Sequence, residues 1–227
     1  MEKEKSRRFT GFKRWYHYIF GEKFYKKLDF KWHQYPSRYQ IIQETIDRKN
    51  YKTYLEIGCF MDELFSKIKI ETKIGVDPVS GGTIRETSDN FFKKNKIKFD
   101  IIFIDGLHEY DQVKKDIANS LLFLNKNGVI FLHDCMPMRY LYQAVPRATG
   151  VWNGDVWKNI VESRTKSEID TYVVHADHGI GIILKRPNKN LLQLKTNNFQ
   201  KLKFRDFFYN HRNYLNIVYH GDLINIF

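Results

Sequence analysis

The chain has 227 residues, of which 42% are hydrophobic and 16% aromatic; this excludes a disordered chain and fits one α/β domain with extensions. No run reaches the ~20 apolar residues that cross a bilayer, and the N-terminus lacks the apolar segment of a secretory signal, so cytoplasmic residence is expected. The net charge of +12 lies in two flanks: residues 1–50 carry 13 basic and 6 acidic side chains and residues 185–227 carry 8 and 2, whereas residues 51–184 carry 17 and 18.

The first part of the pattern alternates helix and strand. It predicts a helix over 38–49, a strand over 52–57, a short helix over 62–68, a strand over 73–77, a weaker strand over 83–87, and a helix over 88–94 with Ser88 as its N-cap. Because about 20 residues separate the ends of the first two strands, they complete one β-α-β unit.

The second part continues the alternation and then changes direction. It predicts a strand over 99–105, a helix over 109–124 stopped at Gly128, a strand over 128–134, and a pair of strands over 171–176 and 179–185. We expect a Rossmann-like α/β fold with a mostly parallel, doubly wound sheet and an antiparallel C-terminal edge hairpin. The core spans 51–186 with a long loop at 136–168, between a basic, aromatic helical N-terminal extension (1–50) and a basic C-terminal extension (187–227).

Acidic residues and a histidine follow the strands that end at one edge of this sheet. They are Glu56, Asp77, Asp105, His133 and Asp134. Any one of them could cap a helix or face solvent, but together they line the crevice where such sheets bind nucleotide-like ligands. A dinucleotide is disfavoured, because Gly58 stands where G-x-G-x-x-G is needed and two acids would face the diphosphate.

A cofactor with a ribose and a positively charged amino-acid end, but no phosphate, fits these residues better. S-adenosylmethionine would place its ammonium and sulfonium near Glu56, the backbone of Gly58 against it, and its ribose hydroxyls on Asp77. Over about residues 38–186 the chain resembles class I S-adenosylmethionine-dependent methyltransferases. The motifs are IGVDP, TSDNFF, FDIIFIDGLHEYDQV, NGVIFLHDCMP and WNGDVWK, in the order found in a subfamily associated with bacterial sugar and glycan O-methylation. The resemblance implies that Ser88 and Asp89 lie by the adenine and Asp105 by the methionine moiety, while the lone Gly58 departs from the usual Gly-x-Gly loop.

The reaction side of the crevice is expected around Asp105, His108 and His133. Methyl transfer needs an acceptor hydroxyl held in line and relieved of its proton, and His108 is the predicted general base. The acid spacing also resembles metal-dependent sugar O-methyltransferases of the macrolide-tailoring type, which implies Mg²⁺ on Asp105 and Asp134. His133 stands where that group has an acid, and its alternative role is to hold Asp134 or the acceptor.

The loop at 145–158 is expected to cover the acceptor. Trp152 could stack on a sugar ring, Asn153 and Asp155 could bind its hydroxyls, and Arg147 could meet an anionic group. The alternative is loop packing, which is the expectation for Trp157.

The expected function is O-methylation of a sugar, nucleotide-sugar or lipid-linked glycan by S-adenosylmethionine. The basic flanks leave open contact with the inner face of a membrane or with a glycosyltransferase, and the aromatic segments 12–35 and 204–219 leave open a homo-oligomer. One alternative is an RNA methyltransferase, but an amino-methylation motif of the Asn/Asp-Pro-Pro-Tyr type is missing and nucleic acid is not the expected partner. The other is a non-catalytic membrane-surface or scaffolding module on the same fold.

Overall fold

A computed structural model describes residues 26–227; the part of the predicted N-terminal arm that falls in 1–25 lies outside the described residues. The strands are β1 (Thr53–Ile57), β2 (Thr72–Val76), β3 (Phe99–Ile104), β4 (Leu124–Leu132), β5 (Asp170–Val174), β6 (Ile180–Leu184) and β7 (Ile217–Val218). The helices of four residues or more are α1 (Arg38–Lys49), α2 (Ser88–Lys94), α3 (Tyr110–Phe123), α4 (Trp157–Arg164), α5 (Phe204–Leu215) and α6 (Leu223–Ile226).

These strands form one sheet in the order β2-β1-β3-β4-β6-β5-β7. Strands β1 to β4 pair in parallel, and β6 runs antiparallel to both β4 and β5. The mostly parallel sheet with an antiparallel C-terminal hairpin is therefore confirmed. Strands β1 to β4 all end at the same edge, which is where the predicted polar residues follow them.

Both faces of the sheet are covered. On one face, Ile41, Ile42 and Ile46 of α1 are buried in a cluster with Tyr54 and Phe103. On the other face, α3, α4 and α5 pack on a second cluster that includes Trp157, which is fully buried as expected. Burial on both faces explains why the central strands read as nearly continuous apolar runs.

The predicted helix over 62–68 is a series of turns. Asp62 has a left-handed φ of 60°, and the carbonyls of Phe65 and Ile68 accept hydrogen bonds from Lys73 Nζ at 2.6 and 3.0 Å. These contacts divert the carbonyl groups that would have continued a helix. The predicted strand over 83–87 reduces to a single parallel bridge between Ile84 and Val76.

Two boundary predictions were also wrong. The side chain of Thr87, not Ser88, caps α2 by accepting from the backbone N–H of Asn90 at 3.3 Å. Gly128 does not end α3 but lies inside β4, where an added Cβ would approach the carbonyl oxygen of Asp100 to 2.7 Å. The glycine is needed because β3 and β4 come together there.

The segment after residue 186 completes the core. Strand β7 pairs with β5, and Phe204 and Phe207 of α5 are fully buried.

Cys59 and Cys135 are buried free thiols, and burial raises the pKa of both. Within residues 26–227, no helix has the length and apolar character needed to cross a membrane.

Candidate active site

Glu56 lies at the end of β1 with its side chain almost fully buried. The hydroxyl of Tyr54 donates a hydrogen bond of 2.5 Å to its carboxyl group from the same face of the strand. Burial raises the pKa of Glu56 to about 8, and the nearby charge of Asp105 adds to the rise. A positively charged ligand would lower this pKa and pair with the ionised carboxylate, which is the role predicted for Glu56.

Gly58 allows the loop after β1 to pass against the loop after β3. Its φ is 87°, and an added Cβ would lie 2.3 Å from the carbonyl oxygen of Asp105 and 2.5 Å from Cα of Gly106. The close approach in this structure is between two segments of the chain. The approach of Gly58 to a cofactor stays a prediction.

Asp77, after β2, ties two loops together. Its Oδ1 accepts from the backbone N–H groups of Val79 and Ser80 at 2.7 and 2.9 Å, and its Oδ2 accepts from Phe60 at 2.9 Å. One lone pair of Oδ2 therefore remains for a ligand hydroxyl. The predicted contact with a ribose is compatible with this geometry and stays a prediction.

Ser88 and Asp89 stand at the first turn of α2. The amide of Gln112 on α3 lies 3.3 Å from Ser88 Oγ and 3.2 Å from Asp89 Oδ1. These contacts hold the two helices together near the crevice. The predicted position beside an adenine is not tested by them.

The loops after β3 and β4 form a compact cluster of acids and histidines. Asp105 Oδ1 lies 3.3 Å from Nε2 of His108 and 3.2 Å from Nδ1 of His133. Asp134 Oδ2 lies 3.2 Å from Nδ1 of His108 and 3.3 Å from Nδ1 of His133. The sequence predicted all four residues, and the structure brings them together.

Charge determines the protonation of this cluster. Burial alone would lower the pKa of each histidine, but the carboxylates of Asp134 and Asp105 reverse this and raise both, with His133 raised far above its usual range. The pKa of Asp105 is lowered, because the two histidines outweigh the effect of burial. The two carboxylates therefore favour the protonated form of His108.

Three side chains of the cluster could hold a metal ion. Ligand atoms of Asp105, His108 and Asp134 all lie within 4.8 Å of one another. Two carboxylates suit Mg²⁺ or Mn²⁺, and an imidazole suits Mn²⁺ or Zn²⁺ better than Mg²⁺. The donor set therefore fits a divalent cation, and it adds His108 to the two ligands predicted from the sequence.

The WNGD segment, 152–155, packs directly on His108. The indole of Trp152 stacks on the imidazole with centroids 5.1 Å apart, and its carbonyl lies 3.0 Å from His108 Nδ1. Gly154 has a φ of 59°, and a Cβ there would collide with the His108 carbonyl. This packing fixes the orientation of His108.

The predicted substrate residues in this loop have protein partners. Asn153 is fully buried and donates to Asp134 Oδ1 at 2.7 Å, and Asp155 accepts from the backbone N–H of Tyr110 at 2.6 Å while pairing with Lys158 at 3.3 Å. Arg147 donates to the carbonyls of Thr149 and Gly150. Stacking, burial and capping thus engage Trp152, Asn153 and Asp155 within the protein, and their predicted contact with the acceptor stays a prediction. Arg147 stays a prediction.

Sequence reasoning missed two charged residues of the site. Arg38 begins α1, and Asp177 lies in the turn between β5 and β6, where the sequence indicated only a hairpin. The backbone N–H of Arg38 donates to Asp177 Oδ2 at 2.7 Å, and Asp177 Oδ1 lies 3.3 Å from Nε2 of His133. Burial would raise the pKa of Asp177, but His133 and Arg38 lower it to about 2. A charged residue at a helix start or a turn carries no signal of such a distant contact.

The chemistry of the crevice fits the S-adenosylmethionine predicted from the sequence. Asp105 offers negative charge toward a sulfonium and an ammonium, Glu56 would add to it once a positive ligand lowers its pKa, and Arg38 offers positive charge toward a carboxylate. Phe60 and Leu107 expose apolar side chains on the loops after β1 and β3, 66% and 47% accessible. Acids, a guanidinium and apolar groups together match an amino-acid end joined to a nucleoside.

Comparisons with known proteins match parts of the chain. Residues 62–135 match a family described as a methyltransferase domain. An uncharacterised protein of Acanthamoeba polyphaga mimivirus is 29% identical over 41% of this chain and 56% of its own length, so the chain spans just over half of this curated relative.

Solved structures share the fold at low sequence identity. A cofactor-bound protein from MTB has a TM-score of 0.51 at 11% identity, covering 67% of this chain and 82% of that one. An SAH-bound methyltransferase of Podospora anserina has a TM-score of 0.48 at 17% identity, covering 68% of this chain and 81% of that one. An O-methyltransferase of Bacillus cereus in complex with SAH has a TM-score of 0.49 at 11% identity, covering 66% of this chain and 82% of that one. Residues 62–135 thus match a methyltransferase domain, and the structure from MTB shares the fold of the core around them.

Proposed function

We propose that this protein transfers a methyl group from S-adenosylmethionine to a hydroxyl oxygen of a sugar or glycan precursor. The observation that carries the proposal is the cluster of Asp105, His108 and Asp134, whose ligand atoms lie within 4.8 Å of one another beside the crevice. A cluster of this kind holds hydroxyl groups, either directly or through a cation. The sugar class rests on the resemblance of the sequence motifs.

The cofactor supplies a methyl group bound to a positively charged sulfur. The chain would place Glu56 and Asp105 toward that charge and use Asp77 for the ribose. In-line positioning of the acceptor oxygen can account for roughly 7–11 kcal/mol of a barrier in well-oriented systems. The loops that Gly58 and Asp77 hold together supply the rigid frame that such positioning needs.

His108 could act as a general base or as a metal ligand, and the geometry favours the second role. As a general base it needs a free ring nitrogen, yet Nδ1 contacts Trp152 and Asp134 and Nε2 contacts Asp105. As a ligand it also needs an unprotonated nitrogen, and Nε2 would supply one if a divalent cation held by His108, Asp105 and Asp134 displaced its proton; that cation would lower the pKa of an acceptor hydroxyl. We therefore propose the ligand role in place of the base role.

Methyl transfer to a panel of sugars and nucleotide sugars, followed with labelled S-adenosylmethionine, tests this proposal. Chelator should abolish the activity, and Mn²⁺ or Mg²⁺ should restore it. His108→Gln should lower turnover and weaken cation dependence while retaining cofactor affinity. Full activity in chelator with loss in His108→Gln would return His108 to the base role, and absence of transfer to any hydroxyl would contradict the proposal.

A further inference from the structure

Arg38 holds a positive charge over the acidic crevice with most of its hydrogen-bonding capacity unused. Its Nη1 lies 3.0 Å from Nε2 of His133. Its ion-pair distances are long, 3.9 Å from Nη1 to Asp177 Oδ1 and 3.8 Å from Nη2 to Glu63 Oε2. Among residues 26–227, the His133 contact is the one that brings a partner within hydrogen-bond distance of the guanidinium. A guanidinium has five N–H donors in a planar fork, so most of them remain for a ligand.

The position of Arg38 is fixed from the backbone. Ser37 caps the helix through Gln40, and the backbone N–H of Arg38 donates to Asp177 at 2.7 Å. The side chain is 24% exposed, enough to reach a ligand while remaining ordered by its surroundings. Helix α1 packs on the same face of the sheet as Tyr54, which donates to Glu56. Arg38 and Glu56 therefore lie on one side of the crevice.

A carboxylate of the ligand is the group that would pair with the guanidinium of Arg38. The amino-acid end of S-adenosylmethionine carries two positive groups and one carboxylate, and the charges of Asp105 and Arg38 both act on Glu56. These acids suit the ammonium and sulfonium but would repel the carboxylate. Arg38 is placed to form a bidentate pair with it.

We propose that Arg38 binds the carboxylate of the methionine moiety of S-adenosylmethionine. The inference rests on the proposed function, because it assumes that cofactor. An anionic group on the acceptor is the competing source of a carboxylate or phosphate. The cofactor is favoured because Arg38 shares its side of the crevice with Glu56, whereas the Trp152 segment that covers His108 leads into α4 on the other face of the sheet.

Calorimetric binding of two ligands in the absence of acceptor tests the inference. The ligands are S-adenosylhomocysteine and its decarboxylated analogue, 5′-deoxy-5′-(3-aminopropylthio)adenosine, which keeps the sulfur and the ammonium but lacks the carboxylate. The wild-type protein should prefer S-adenosylhomocysteine by about 10–100-fold, the usual value of a charge-assisted hydrogen bond. Arg38→Met should bind the two ligands with equal affinity, and Arg38→Lys should keep part of the preference.

Arg85 offers a matched control. Its Nη1 donates to the backbone carbonyl of Asp77 at 2.9 Å, on the ribose side of the crevice. Arg85→Met should retain the wild-type preference for the carboxylate, whatever its effect on overall affinity.

The outcomes separate the inference from the proposed function. A wild-type protein that binds neither ligand contradicts the proposed function and the inference with it. A wild-type protein that binds both equally, or an Arg38→Met variant that keeps the full preference, overturns the inference alone. Equal weakening of both ligands by Arg38→Met assigns Arg38 to the fold of the site and also overturns it. If Arg38→Met fails to fold, Arg38→Lys decides: a reduced preference supports the inference, and an unchanged preference overturns it.

Discussion

Glu56 shows how one buried side chain links stability to ligand charge. The folded protein keeps its proton up to about pH 8, whereas an unfolded glutamate loses it near 4.5. The folded state thus binds more protons than the unfolded state between these values, and the free energy of unfolding falls as pH rises through them. A positive ligand bound beside Glu56 would lower this pKa and favour the ionised carboxylate.

Glu56→Gln should remove this pH dependence. Glutamine can still accept from Tyr54, so the hydrogen bond is retained while the titration is lost. The stability difference between variant and wild type should grow from pH 5 to pH 8, by at most about 1.4 kcal/mol for each pH unit that separates the folded and unfolded pKa values. Denaturant unfolding at several pH values measures it. Glu71→Gln, at an exposed position, should show no such trend, and a Glu56→Gln profile that runs parallel to the wild type would refute the account.

Gly58 is required by contact within the chain. Gly58→Ala would place a Cβ 2.3 Å from the Asp105 carbonyl oxygen at a φ of 87°. We expect a loss of unfolding free energy of about 1–3 kcal/mol from the backbone conformation alone, with more from the collision. Gly150→Ala is the control, because an added Cβ there has nothing within 4 Å. Equal midpoints in urea for the two variants would contradict this role.

At the scale of elements, the WNGD segment supports the site from outside. Its aromatic ring, backbone and side chains fix His108, Asp134 and the start of α3 together. The sequence favoured substrate contact by Trp152, Asn153 and Asp155, with loop packing as the alternative, because tryptophan with nearby amide and acid groups is typical of sugar binding. Only the three-dimensional contact with His108 reveals the positioning role.

Asp155→Ala should destabilise the protein rather than weaken acceptor binding. The change removes the acceptor for the Tyr110 N–H at the start of α3, usually about 1 kcal/mol, and leaves Lys158 buried without its carboxylate. Asp155→Asn should be milder, because its amide oxygen can still accept from Tyr110. The melting temperature and the KM for the acceptor distinguish a structural role of Asp155 from a contact with the acceptor. A raised KM at wild-type stability would instead place Asp155 in contact with the acceptor.

For the molecule as a whole, the mostly parallel sheet and the residues of the reaction cluster could be predicted from the sequence, while the links between distant segments could not. Buried runs ending in Glu56, Asp105 and Asp134 predicted both the sheet and the edge where the site lies. Arg38 and Asp177 were missed because their contacts with His133 span 95 and 44 residues of chain. Residues 61–67 form turns in place of the predicted helix because Lys73, which lies outside the segment, binds carbonyl groups that a helix would use.

A divalent cation should stabilise the whole fold by binding the native cluster. We expect Mn²⁺ to raise the melting temperature of the wild-type protein and to leave Asp134→Asn unchanged. The rise should shrink at low pH, because protons compete for the same ligand atoms. An equal shift in both proteins would show that the ion binds elsewhere.

The measurement that tests the central claim most directly is calorimetric titration of the wild-type protein with S-adenosylhomocysteine. We predict saturable binding of one ligand per chain in the micromolar range, weakened by Asp77→Ala because the ribose contact and the loop contacts are lost together. Absence of binding, with Asp77→Ala indistinguishable from the wild type, would contradict the assignment of this crevice to S-adenosylmethionine.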